Sequence, residues 1–327
     1  MGIRLDSSRL VTVYGGSGFL GRHVVQALAR TGCRIRVAVR RPDLAGFLQP
    51  LGGVGQIHAV QANLRFPESV AQAAEDADVL VNLVGILHET GKQRFSSVQA
   101  DGPRWVAHAA RDVGAQALIH VSAIGADKNS PSLYAQSKAA GEAHVLKSFP
   151  EAVILRPSVV FGPEDEFFNR FASLARMAPM LPLIGGGKTR FQPVFAGDVA
   201  KAVVAAIEGR GAAGRTYELG GPEILTFKQV LQRILEYCGR RRLLVPVPFW
   251  LAYTKAAFLQ LLPSPLLTVD QVRLLESDNV VSVNAKTTRR TLEGLGVDPV
   301  PVEAIVPDYL ERFRARGEFA AFRRENS

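Results

Sequence analysis

Three residues in this chain have the types and spacing to move a proton at a carbonyl or an alcohol: Ser122, Tyr134 and Lys138. Tyr134 and Lys138 stand four apart in Tyr134-Ala-Gln-Ser-Lys138, which on a helix puts them on one face. An ammonium there is expected to lower the phenol pKa from about 10, and a strand-end hydroxyl at Ser122 can hydrogen-bond a substrate oxygen. Such a trio serves oxygen while a hydride moves at carbon. A Tyr-x-x-x-Lys pair alone is a weak signal, so its weight depends on what lies upstream.

Upstream, Leu10-Val-Thr-Val-Tyr-Gly15-Gly16-Ser17-Gly18-Phe19-Leu20-Gly21 runs an apolar strand into a glycine-rich turn and an amphipathic helix. The spacing allows a tight turn at Gly15, close backbone approach to a pyrophosphate at Gly18, and helix-to-sheet packing at Gly21. Free N–H groups at Ser17, Phe19 and Leu20 would then face the phosphates. A bare structural turn is the bland alternative, and the fitting strand and helix on either side argue against it. Where the second strand ends, an acidic residue usually meets the ribose of NAD, whereas this chain has Arg40-Arg41. Two guanidinium forks suit a 2′-phosphate and favour NADP(H), the alternative being a solvated basic loop. Asn63-Leu64 after the third strand, where an adenine could lie, and Val84-Gly85 after the fourth are further cofactor-edge turns, or plain turns.

The elements that must position these residues alternate. Strand signals at 35–39, 56–61, 79–84 and 117–121 are separated by helical ones at 19–31, 70–77 and 97–113, which predicts a doubly wound α/β parallel sheet of Rossmann type. With 327 residues, 47% hydrophobic and 21% charged, the chain can bury a sizeable core. A formal charge of +9 suits an anionic partner. No recognition-helix motif accompanies it, so nucleic acid is not expected. Cys33 and Cys238 are too few for a disulfide framework and lack metal-ligand spacing, so they read as buried thiols of a reducing compartment, and no metal is expected. Neither a signal peptide nor a spanning helix is visible, which points to the cytoplasm.

With these residues in place, the chain resembles the extended short-chain dehydrogenase/reductases over nearly its whole length. Leu155-Arg-Pro157-Ser-Val-Val160-Phe-Gly162-Pro163 is similar to their sixth strand and cofactor turn, which adds Pro157 and Val160 to the expected cofactor contacts. Pro193 to Ala200 and Tyr217 to Phe227 are similar to their later strands and helix starts, with Thr226 a sensible N-cap. Within that superfamily, Gly15–Gly21, Asn82–Gly85, Arg156–Asn169 and Phe191–Val194 resemble the atypical branch holding the NADPH-binding accessory subunit of respiratory complex I and its bacterial relatives. The chain departs from the wider superfamily at Gly15, Asn63 and Asn82–Gly85. The resemblance implies a dinucleotide domain over 1–156 with 191–220 returning to it, and a smaller substrate or partner lobe over 157–190 and 221–327. It also implies a tightly held, largely structural NADPH in a respiratory or quinone-linked assembly, with ubiquinone chemistry nearby. A free NADPH-dependent reductase or epimerase using Ser122, Tyr134 and Lys138 is the alternative.

Two stretches are left. The apolar 245–263 region is expected to be lobe core or a lid, or else a surface touching a lipid-facing partner, which would place the protein peripherally at the inner membrane. Tyr309 to Arg324 reads as a basic, partly amphipathic helix.

Overall fold

The computed structural model describes residues 2–262 and 267–314. Its strands are β1 Leu10–Tyr14, β2 Arg34–Val39, β3 Ile57–Gln61, β4 Val79–Asn82, β5 Ala117–Val121, β6 Val153–Pro157, β7 Val160–Phe161, β8 Met180–Ile184, β9 Arg190–Phe191, β10 Val194–Phe195, β11 Thr216–Leu219, β12 Leu225–Thr226 and β13 Leu243–Val247. The α-helices are α1 Phe19–Ala29, α2 Pro67–Ala74, α3 Gly102–Asp112, α4 Leu133–Ser148, α5 Phe168–Met177, α6 Ala196–Ile207, α7 Phe227–Tyr237, α8 Phe249–Leu259, α9 Val269–Leu274, α10 Val283–Thr287 and α11 Val306–Leu310. They divide between two compact units: residues 1–157, 196–219 and 281–298, and residues 158–195, 220–280 and 299–327.

In the first unit seven parallel strands pair in the order β11-β6-β5-β4-β1-β2-β3. Strands covered on both faces must be apolar throughout, and β1, β4 and most of β5 are buried along their length. The polar exceptions are satisfied: Thr12 Oγ1 donates to the Ala73 carbonyl (3.1 Å) and Tyr14 Oη to that of Val70 (2.7 Å). Those bonds hold α2 against β1. Helix α2 begins earlier than its apolar pattern suggested because Pro67 occupies the first turn, where no N–H partner is lost. The stretch expected as one helix over 97–113 instead opens with a π-helical segment, Ser96–Asp101, before α3.

The second unit has its own core, built on Phe161, Phe168, Phe191, Phe227 and Leu231. Phe167, Phe171, Phe191 and Phe227 pack edge-on or tilted with centroids 5.3 to 6.2 Å apart. The buried Asp165 carboxylate accepts the N–H groups of Gly162, Phe168 and Asn169 and the Tyr309 hydroxyl, which ties α11 to the start of α5. Thr226 caps α7 with a reciprocal bond to Gln229, as its position suggested.

The units divide the chain differently from the expected lobes. Residues 281–298 belong with the parallel sheet: Ser282 N–H donates to the Glu218 carboxylate (2.7 Å), Glu218 N–H to the Arg290 carbonyl (3.0 Å), and Val281 and Ala285 cluster with Ile124. Residues 191–195 belong to the second unit, because Phe191 pairs with Leu225 and β10 pairs with β7. The 245–262 stretch is strand β13 followed by α8. Ala252 and Ala256 pack inward, but Trp250, Phe258 and Leu261 are 70%, 71% and 79% exposed, so the segment is not simply lobe core. Residue 263 lies outside the described residues. Of the basic helix expected over 309–324, α11 ends at Leu310 and a 3-10 turn covers Glu311–Phe313, while 315–324 lie outside the described residues. Among the described residues no helix is long and apolar enough to cross a membrane.

Candidate functional site

Where β1 stops, Gly15 adopts φ +80° and donates its N–H to the Ala38 carbonyl on β2, and a Cβ there would press on Val84 at 3.1 Å. Gly18 N–H returns to the Gly15 carbonyl (3.1 Å). Gly18 is the N-cap of α1 and has no side-chain cap. By their place in the first turn, Phe19 and Leu20 have no helical carbonyl to bond. A Cβ on Gly21 would lie 2.3 Å from the Gly15 oxygen and 2.5 Å from the Gly16 carbon, so only glycine lets α1 sit this close to the turn. One on Gly18 would meet a single neighbour, the Gly15 oxygen at 3.3 Å. The result is an open helix N-terminus beside Ser17, with a dipole that favours an anion.

At the other sheet turns, Arg40 is exposed and has no side-chain partner among the described residues, while Arg41 spends its fork on Asp43 (Nη2 to Oδ2, 2.8 Å). Asn63 Oδ1 accepts the Arg65 N–H (3.2 Å). Leu64 is buried over the missing side chain of Gly102. After β4, Asn82 Oδ1 accepts the Val84 N–H (3.1 Å). The Asn82 amide approaches His120 Nδ1 at 3.2 Å. If the amide donates, that ring is the tautomer with its proton on Nε2. Complete burial, and secondarily the charge of Lys138, push His120 down to about 3, so it is neutral at any physiological pH.

The proton-transfer residues meet at the end of β5. Ser122 N–H is bonded to the Leu155 carbonyl, but Ser122 Oγ is buried and has no partner among the described residues. A buried orphan hydroxyl costs about 1–3 kcal/mol, which a ligand oxygen would recover. Lys138, also buried, points its Nζ at the Val121 carbonyl (3.4 Å), lies 5.9 Å from the centre of the Tyr134 ring, and comes within 3.3 Å of where a Gly85 Cβ would stand. Burial pushes this ammonium down to about 8, partly offset by Glu142 one turn later. Glu142 is itself gripped by Arg156 through two guanidinium bonds. The expected lowering of the phenol is not observed. Tyr134 is pushed up to about 12 by desolvation on burial.

Sequence reasoning missed Gln99. It sits buried on the π-helical segment, accepts the Ile86 N–H at Oε1 (2.8 Å) and donates from Nε2 to Ser137 Oγ (2.9 Å). It thereby joins the turn after β4 to α4, the helix that carries Tyr134 and Lys138. Gly141 allows the approach, since a Cβ there would lie 2.2 Å from the Gln99 carbonyl oxygen. π-Turns recur at functional sites, yet nothing in a local pattern announces one. Pro157 accepts the Ile124 N–H in the first unit, whereas Val160 lies on β7 in the second and pairs with Val194.

A family model described as the NAD dependent epimerase/dehydratase family matches residues 11–220, which include the glycine turn, Ser122, Tyr134 and Lys138. The chain belongs to that family. Among relatives, this epimerase/dehydratase-family chain is 34% identical over 323 residues to the mitochondrial NADH dehydrogenase (ubiquinone) 1 alpha subcomplex subunit 9 of Arabidopsis thaliana, covering 95% of this chain and 79% of that one. It is 37% identical over 179 residues to a ceramide reductase of Caulobacter vibrioides, covering 55% of each. Among solved structures, the dTDP-glucose 4,6-dehydratase DesIV from Streptomyces venezuelae, with NAD and TYD bound, matches with a TM-score of 0.71 at 20% identity, over 93% of this chain and 96% of that one. That last likeness shows the epimerase/dehydratase fold.

Proposed function

We propose that this chain holds NADP(H) as a largely structural component of a respiratory or quinone-linked protein assembly. The observation that carries the reading is similarity to a complex I subunit along nearly the whole chain. The glycine turn and the orphan hydroxyl of Ser122 fit a dinucleotide. In this reading the backbone of Gly15–Leu20 takes the pyrophosphate, Asn63 and Leu64 the adenine side, and Val84, Gly85 and Pro157 the nicotinamide side. Tyr134 and Lys138 take the nicotinamide ribose. The exposed aromatic side of α8 is where such a component would meet the membrane-side face of its assembly.

Arg40, unengaged by any described side chain, is the leading ligand for a 2′-phosphate, with Arg41 joining it by releasing Asp43. Changing both to alanine is expected to weaken NADPH by about 1.5–3 kcal/mol for each charge-assisted hydrogen bond removed, with little effect on NADH. Titration of both nucleotides checks this, and equal losses would remove the case for NADP.

One observation favours a second reading, that of a free reductase: the unpartnered Ser122 Oγ stands at the strand end that Lys138 also reaches, and Tyr134 shares the Lys138 helix face. The cofactor would supply hydride to a carbonyl carbon while Tyr134 gives its proton to the oxygen. Tyr134→Phe separates the readings. For a structural nucleotide it costs at most about 0.5–1.5 kcal/mol of affinity, and the assembly is unaffected. A wild type that oxidises NADPH with quinones or carbonyl compounds, and a variant slowed ~10²- to 10⁴-fold, would establish the reductase instead.

A further inference from the structure

At the outer edge of the parallel sheet, away from the glycine turn, Ala212, Arg215, Tyr217, Thr288 and Arg290 line a cleft of about 360 Å³. Its polar groups decide what it can take. Tyr217, almost fully buried, accepts the Ala212 N–H at its phenol oxygen (2.8 Å), and among the described residues nothing accepts its own proton. Thr288 Oγ1 donates its proton to the Asn284 carbonyl (2.6 Å) and takes the Arg290 Nε–H (2.9 Å). Among the described residues no hydrogen bond or ion pair engages the terminal nitrogens of Arg290 or the guanidinium of Arg215. Among the described residues no carboxylate lines the cleft. The hydrogens still to be given come from the Tyr217 phenol and the two guanidiniums, which are permanently charged.

The backbone beside the cleft supports this. Arg289 holds φ +53° at the end of α10, where its N–H returns to Lys286 and the Arg290 N–H to Ala285, the place in such a turn that glycine normally takes. An arginine there carries a conformational penalty and adds a further positive charge next to Arg290.

We infer that this cleft is a binding site for a small multivalent oxyanion, a phosphate ester or a di- or tricarboxylate, separate from the dinucleotide cradle. Two guanidinium forks and a phenol proton can satisfy several anion oxygens at once, and the volume is at the small end of metabolite sites. The inference does not depend on the reading of the glycine turn.

Calorimetric titration of the intact protein with inorganic phosphate and with citrate tests it, and whichever anion binds more tightly identifies the class. Saturable binding to one site is expected. Arg215→Ala and Arg290→Ala should each weaken it about tenfold or more, while Arg30→Ala, at the exposed C-cap of α1, changes nothing. Phosphate could also enter the glycine turn, and the double variant Arg215→Ala/Arg290→Ala isolates that contribution because it leaves the turn untouched. Undiminished binding in the double variant would overturn the inference, as would the lack of saturation by either anion below about 10 mM.

Discussion

Gly18→Val is expected to keep the fold and lose the dinucleotide, whereas Gly21→Val destabilises the fold and loses the dinucleotide as well. The difference follows from what each new side chain meets. A Cβ at Gly18 touches only the Gly15 oxygen, at 3.3 Å, and the residue's extended backbone suits any amino acid. The bulk of valine then projects into the space over the α1 N-terminus that phosphates would need. At Gly21 the Cβ would lie 2.3 Å from the same oxygen and within 2.6 Å of Gly16 backbone, so α1 must move off the sheet. Overpacking of that kind costs about 1–3 kcal/mol or more. Thermal unfolding and nucleotide titration of the two variants provide the check. A Gly18→Val protein that still binds nucleotide would show that the phosphates sit elsewhere.

Lys138→Met is expected to give a more stable protein that holds its nucleotide poorly. The sign comes from linkage. Burial lowers the folded-state Lys138 to about 8 from its ordinary 10.5. Between those values the unfolded chain binds the extra proton, so wild-type stability rises with pH across that window and carries a fixed cost below it. The cost at neutral pH is on the order of a few kcal/mol. Methionine fills the same space without the charge, and Glu142 is not orphaned because Arg156 still holds it. Under the proposed role of Lys138 at the nucleotide ribose, the variant would also lack that ammonium donor, a loss of roughly tenfold or more in affinity. Nucleotide-free unfolding curves at pH 7 and pH 10 should show the variant ahead at pH 7 and the gap narrowing at pH 10. A variant that is less stable at pH 7 with unchanged affinity would mean that Lys138 is structural only.

The two experiments also separate kinds of residue. Gly21 and Gly15 serve the packing of α1, β1 and the turn after β4, while Gly18 is free of that duty. Lys138 runs the other way, since the fold would be better without it. Groups that cost stability where they stand are the ones to suspect of function.

What the amino-acid sequence determined by itself is whatever depends on neighbours along the chain. The β1-turn-α1 unit, the alternation that yields a parallel sheet, the cap at Thr226 and the shared helix face of Tyr134 and Lys138 all follow from spacing within a dozen residues. Tertiary structure alone decided the rest. Gln99 matters because three distant segments close around it, and the Asn82–His120 pair forms because β4 and β5 are adjacent in that register. Residues 281–298 joined the first unit through Glu218, far from them in sequence. The phenol of Tyr134 rose where an i+4 lysine promised a fall, since desolvation depends on everything packed around a group and charge spacing along a helix does not report it. The cleft at β11 is of the same kind: its arginines are ordinary basic residues in the sequence, and only the fold sets them together, with no carboxylate lining the cleft among the described residues.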